Sequence, residues 1–124
     1  MSPEGRGKPV LIFPGGMPRS LDYLRKCQRE GVATVGASSL NYDVASTQYP
    51  SWIQLPYVNH PDFDAALARA IRDLGLGGIY SPNPVVWNHL NAVLGALAPG
   101  VRLVNDSPID DALAGFRAAR TRAR

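Results

Sequence analysis

Residues 8–39 read KPVLIFPGG-MPRSLDYLRKCQREG-VATVGASS. An apolar run is followed by a Gly-Gly corner, an amphipathic stretch and a second apolar run. This pattern predicts a strand, a tight loop, a helix and a second strand, which together make one compact β-α-β unit. In such units the loops at the carboxyl ends of the strands form the ligand-binding edge. The segment therefore points to the working surface before any chemistry is considered.

Outward from this unit the alternation continues. Strands are predicted at Pro9–Phe13, Val32–Gly36, Trp52–Tyr57, Gly78–Ser81 and Val101–Asn105. The first two are short and uniformly apolar, as suits strands covered on both faces. Trp52–Tyr57 is interrupted by Pro56, which favours an edge position. Helices are predicted at Pro18–Glu30, Pro61–Leu74 and Pro84–Leu97, with a fourth beginning at Pro108. Each has a proline at or near its start, where the missing N–H has no intrahelical partner to lose. Asn83 and Ser107 are suitable caps, and Ser107-Pro108-Ile109-Asp110 resembles a capping box. Leu21, Leu24 and Cys27 form the apolar stripe of the first helix, and Gly31 suits its C-terminal cap. Strands alternating with helices imply an α/β fold: a three-layer, Rossmann-like domain with a mostly parallel sheet of about five strands. The first strand is expected in the sheet interior.

A chain of 124 residues is long enough for one domain with a real core. No apolar run approaches a membrane span of ~20 residues, and the N-terminus lacks the apolar core of a signal peptide. One cysteine, Cys27, cannot form an internal disulfide, so a reduced cytoplasmic setting is the default expectation. The net charge of +3 is misleading, because Arg117, Arg120, Arg122 and Arg124 all fall in the last eight residues. Without them, nine of the thirteen basic residues face ten acidic ones, a net of −1. A nucleic-acid domain carries its basic footprint on the folded body. Neither nucleic acid nor membrane is expected as a partner.

Helix N-termini and strand ends converge on one edge of such a sheet, where free N–H groups and positive dipole ends attract anions. Candidate contacts there are Gly15, Gly16, Ser38, Ser39, Asn41, Ser81, Asn83, Asn105 and Ser107. The site is placed on Gly15, Gly16, Ser38, Ser39, Asn83 and Ser107, with a weakly held carboxylate or phosphate as the expected ligand. Each residue also has a plainer role, as a turn former or a cap. FPGGMPRS is neither G-x-G-x-x-G nor a P-loop, and no carboxylate ends the second strand to hold a ribose. His60 and His89 have no metal-ligand spacing. His60 is expected to start a helix and His89 to lie on one. Cys27 reads as a core residue. Asp62/Asp64 and Asp110/Asp111 read as favourable first-turn charges. Trp52 and Trp87 read as packing residues. No catalytic or metal-binding residue is assigned.

Taken in order, VLIFPGG, VGASS, LPYVNHPDF, GGIYSPNPVVWNHL and VRLVNDSPID resemble the pre-ATP-grasp domain. This is the N-terminal domain of ATP-grasp carboxylate–amine ligases of the carbamoyl-phosphate-synthase-like group. The resemblance runs from about Pro9 to Phe116, and GASS and LPYVNHPDF carry most of it. Relatives often have polar or charged residues where this chain has Ser81-Pro82-Asn83-Pro84. The resemblance implies a Rossmann-like domain over residues 1–124 that forms the acceptor-substrate side of a shared active site. Its partners would be the ATP-grasp domain of the same polypeptide and a small carboxylate or amine, with a homodimer left open. ATP and Mg2+ are expected for the full-length ligase and no cofactor for this chain. The nucleotide-binding lysine, the metal-binding acids and the phosphate loop are expected beyond Arg124, so the isolated chain is expected to be an inactive fragment. FRAARTRAR reads as a helix cut off mid-run. A stand-alone module for small molecules or nucleotides and a protein-interaction domain are the alternatives.

Overall fold

The computed structural model describes residues 7–108. The fold is an α/β domain with five parallel strands: β1 (Val10–Ile12), β2 (Thr34–Ser38), β3 (Trp52–Gln54), β4 (Gly78–Tyr80) and β5 (Arg102–Leu103). Three helices connect them: α1 (Pro18–Glu30), α2 (Phe63–Leu74) and α3 (Pro84–Leu97). Strand order is β3-β2-β1-β4-β5, so the interior position expected for the first strand is observed. Val10 and Ile12 pair with Thr34 and Gly36 on one side and with Gly78 and Tyr80 on the other. The chain runs outward from β1 to β3, then crosses back to β4, and this reversal places a switch point beside β1.

Strand pleating splits the core in two, because successive side chains point to opposite faces. Leu11, Phe13, Val35, Ala37 and Ile79 face one way, onto Phe63, Leu67 and Ile71 of α2 and Val86, Leu90 and Leu94 of α3. Val10, Ile12 and Tyr80 face the other way, onto Leu24 of α1 and onto Tyr49. The ring of Tyr23 on α1 stacks on that of Tyr80, with centroids 4.1 Å apart. Cys27 is buried among these residues, and burial pushes its thiol pKa up, away from a reactive thiolate. Among the described residues no helix is long and apolar enough to cross a membrane.

Helix ends follow the predicted chemistry with two adjustments. Gly31 and Gly75 close α1 and α2 with φ values of 72° and 65°, a left-handed conformation that disfavours side chains. Asn83 caps α3 by accepting from the N–H groups of Val85 and Val86 at 2.9 and 3.1 Å. The second helix begins at Phe63 rather than Pro61, so His60 precedes it instead of starting it. The intervening residues form turns in which the Asp62 N–H donates to Nδ1 of His60 and the Phe63 N–H to the His60 carbonyl. β2 lies two residues later than predicted. The Val32 N–H is already committed to the Cys27 carbonyl in the α1 cap, so the strand starts only at Thr34. β1, β3, β4 and β5 are shorter than predicted, and β3 takes the expected edge position, with β5 at the opposite edge. Pro108 is helical and buried, whereas the rest of the predicted fourth helix and Asp110 of the capping box lie outside the described residues.

Gly36 sits where β2 passes under the β2–β3 connection. A Cβ there would lie 2.6 Å from the Trp52 ring and 2.7 Å from the Tyr49 ring. Tyr49 is buried and Trp52 is partly buried against the same core, so an added methyl group forces one ring to shift. Gly36→Ala is therefore expected to destabilise the fold by about 1–3 kcal/mol. Gly95, in the last turns of α3, has nothing within 4 Å of its Cβ position. Gly95→Ala is expected to stabilise by about 1 kcal/mol. Urea denaturation of the two variants tests these opposite signs.

Candidate functional site

A cleft of about 660 Å³ opens at the carboxyl ends of the strands. Its floor is Phe13, from the end of β1, backed by Phe63 with ring centroids 5.8 Å apart. One wall is the loop after β1, where the Phe13-Pro14 peptide is cis and Gly16 and Met17 lead into α1. The opposite wall is the first turn of α3, with Asn83, Val85 and Val86. Ser38 at the end of β2, Ser39, Leu40 and Asp43 just after it, and Tyr57 and Val58 after β3 line the rest.

An aromatic lock holds the first loop. The Tyr49 hydroxyl donates to the Gly15 carbonyl at 2.7 Å, and the Gly15 N–H donates to the Ala37 carbonyl at 2.7 Å. A Cβ on Gly15 would lie 2.8 Å from the Trp52 ring, so the loop can sit this close to β2 only with glycine there. Burial raises the Tyr49 pKa above tyrosine's ordinary range, and the nearby Asp43 charge raises it further.

Asp43 sits at the start of a short 3-10 helix, Val44–Gln48. Its Oδ1 accepts from the Ala45 N–H at 3.0 Å. Its Oδ2 lies against Gly16, 2.8 Å from the position a Cβ there would take. The Ser38 hydroxyl accepts from the Leu40 N–H at 3.1 Å and retains its own proton to donate. Ser39 donates to the Pro56 carbonyl at 3.0 Å, tying the second and third strand ends together.

Of the six residues on which the site was placed, Gly16, Ser38, Ser39 and Asn83 come together around this cleft. Gly15 lies directly behind it, buried against Trp52 and Tyr49. Ser107 follows β5 and does not line the cleft. Two other candidates, Ser81 and Asn105, latch the ends of β4 and β5. The Ser81 N–H donates to Asn105 Oδ1 at 3.1 Å and Asn105 Nδ2 donates to the Ser81 carbonyl at 2.8 Å. Trp87 joins this latch through Nε1 to the Asn105 carbonyl at 3.0 Å. Asn41 accepts from Gln54 Nε2 on the surface.

The charge of the cleft differs from the expected preference for an anion. No Lys, Arg or His is among its described lining residues, and its one charged group is the Asp43 carboxylate. The first-turn N–H groups of α3 are taken by Asn83, whereas α1 begins at Pro18, which has no N–H, and has no side-chain cap.

Two further pairings escaped sequence reasoning. Asp43 carried no motif signal beyond a carboxylate three residues ahead of Ser46, whose N–H bonds to its carbonyl. His89 Nε2 lies 2.6 Å from Asp64 Oδ1, bridging α3 and α2, and the His89 ring meets Phe63 edge-on. The two partners are 25 residues apart, beyond any local pattern. Among the described residues no group of three or more His, Cys, Asp and Glu side chains could hold a metal ion. No protein-family model matches the chain, and no curated protein matches it.

The Tyr49 lock has a pH signature. Its folded-state pKa is raised, so as pH climbs past about 10 the unfolded chain loses this proton first. Stability is full below that pH and falls above it. Tyr49→Phe is expected to cost about 1–2 kcal/mol at pH 7, because the Gly15 carbonyl loses its donor. The same substitution should lessen the alkaline decline, part of which remains with Tyr23, whose pKa burial also raises. Urea unfolding of both proteins between pH 7 and 11 checks both effects.

Proposed function

We propose that this chain is the substrate-side domain of an ATP-grasp ligase that joins a carboxylate to an amine. The observation that carries this reading is the cleft at the switch point of a Rossmann-like sheet. It is built from four successive strand ends and has an apolar rim open to solvent, as half of a shared site would be. Leu40, Tyr57 and Val85 line it while remaining 52%, 58% and 65% exposed. Exposed apolar surface gathered in one place marks a ligand or partner site. The sequence order of GASS and LPYVNHPDF adds the family resemblance, and both segments contribute to this cleft.

Within this reading the domain binds and orients the acceptor and keeps water from the reacting groups. Its residues do not fit Mg–ATP. The cleft has a single carboxylate and no lining lysine among the described residues, and the first loop is no phosphate cradle. Nucleotide and metal are therefore assigned to a following ATP-grasp domain, and no chemical step is assigned to the residues of this chain.

The test is ADP release by the polypeptide translated from the whole reading frame. ADP is expected when a carboxylate and an amine are supplied together, while the 124-residue chain alone leaves ATP intact. Val85→Trp places an indole in the cleft from an exposed helix position. It is expected to lower ADP release about tenfold by displacing the acceptor, a loss of about 1.4 kcal/mol of transition-state stabilisation. A reading frame without an ATP-grasp domain, or release indifferent to Val85→Trp, overturns the proposal.

A further inference from the structure

We infer that the cleft takes an organic cation, an ammonium or guanidinium group on an apolar or aromatic body, with Asp43 as the group that recognises the charge. This deepens the reading of the cleft as an acceptor-side pocket and rests on it. Asp43 is the one charged side chain among the described lining residues. Its Oδ1 is occupied by the Ala45 N–H, whereas Oδ2 receives no hydrogen bond from the described residues and lies beside Gly16 at the cleft wall. The absence of a side chain at Gly16 leaves that oxygen approachable. A carboxylate in partly desolvated, apolar surroundings attracts a cation more strongly than one in open water.

The rest of the cleft fits the body of such a molecule. Leu40, Tyr57 and Val85 form an exposed apolar rim above Phe13 and Val86. Tyr57 also offers a ring face, which attracts cations and flat groups. Ser38 and Ser39 add hydroxyls that accept from ammonium or guanidinium N–H groups.

A carboxylate or phosphate finds no side chain of matching charge among the described lining residues. No cationic side chain faces the cleft among the described residues, and Asn83 has consumed the α3 donors that a bound anion would use. Asp43 would repel such a ligand.

The experiment uses four probes of matched size: phenethylammonium, phenethylguanidinium, 2-phenylethanol and 3-phenylpropionate. Each is titrated into the 15N-labelled chain while amide shifts are followed. The cations are expected to shift Gly16, Leu40 and Asp43 and to bind about tenfold more tightly than the alcohol, the usual strength of a hydrogen bond to a charged group. The phenylpropionate should bind more weakly than the alcohol. Preference between the two cations identifies which one the site serves. Asp43→Asn keeps an oxygen for the Ala45 cap, so it should abolish the tenfold gap while leaving alcohol binding unchanged. The inference is overturned if phenylpropionate binds as well as the cations, if Asp43→Asn leaves the gap intact, if shifts fall elsewhere, or if no probe binds. ADP release by the whole polypeptide separates the two readings. A cation-selective cleft without ADP release overturns only the ligase reading, and ADP release with a carboxylate-selective cleft overturns only this one.

Discussion

The missing side chain at Gly36 is the constraint on which the rest of this architecture depends. Because β2 is bare at that point, the rings of Tyr49 and Trp52 can lie directly on its backbone. The β2–β3 connection therefore folds down over the α1 face of the sheet instead of standing away from it. Only from there can the Tyr49 hydroxyl reach the Gly15 carbonyl, and only then is the loop after β1 held against Ala37. The same fold-back presents Asp43 to Gly16. One absent methyl group thus fixes β3, the first loop and the charge at the cleft.

The opposite wall is secured by different means. Asn83 ties off the start of α3, and the Asn105–Ser81 latch holds the strands from which α3 departs and to which it returns. The His89–Asp64 bridge then joins α3 to the first turn of α2, beside the Phe63 ring that backs Phe13. Both partners of that bridge are partly exposed, so its contribution to stability is at most about 1 kcal/mol. Its effect is to align the start of α2 with the N-terminal half of α3 along their shared apolar seam.

The sequence disclosed most of the framework because its signals are local. Apolar runs bounded by proline and glycine marked every strand and α-helix, though not the short 3-10 helix Val44–Gln48, and Pro18, Gly31 and Pro84 set both ends of α1 and the start of α3. The errors arose where a residue had two uses. Val32 is apolar enough for a strand but closes the α1 cap. Pro61 suits a helix start, but the His60 ring captures the Asp62 N–H and delays the helix. The cleft was legible only in part. Ser38, Ser39 and Asn83 were found by their position after strands, whereas Ser107, placed by the same logic, lies elsewhere. Asp43 was missed because its importance comes from the fold-back over Gly36, a contact no local pattern encodes.

Asn83 has one further consequence. By satisfying the α3 donors internally, it neutralises one of the two helix starts at this cleft that would otherwise draw an anion. The sign of this cleft is left to a single side chain in a surface connection, at a capping position that Asn, Ser or Thr can also fill. Scaffold and address are therefore separable. A lineage could exchange the charge class of its ligand by one codon at position 43 while every strand, helix and core contact stayed in place, so domains of this architecture can diverge in what they bind faster than in how they fold.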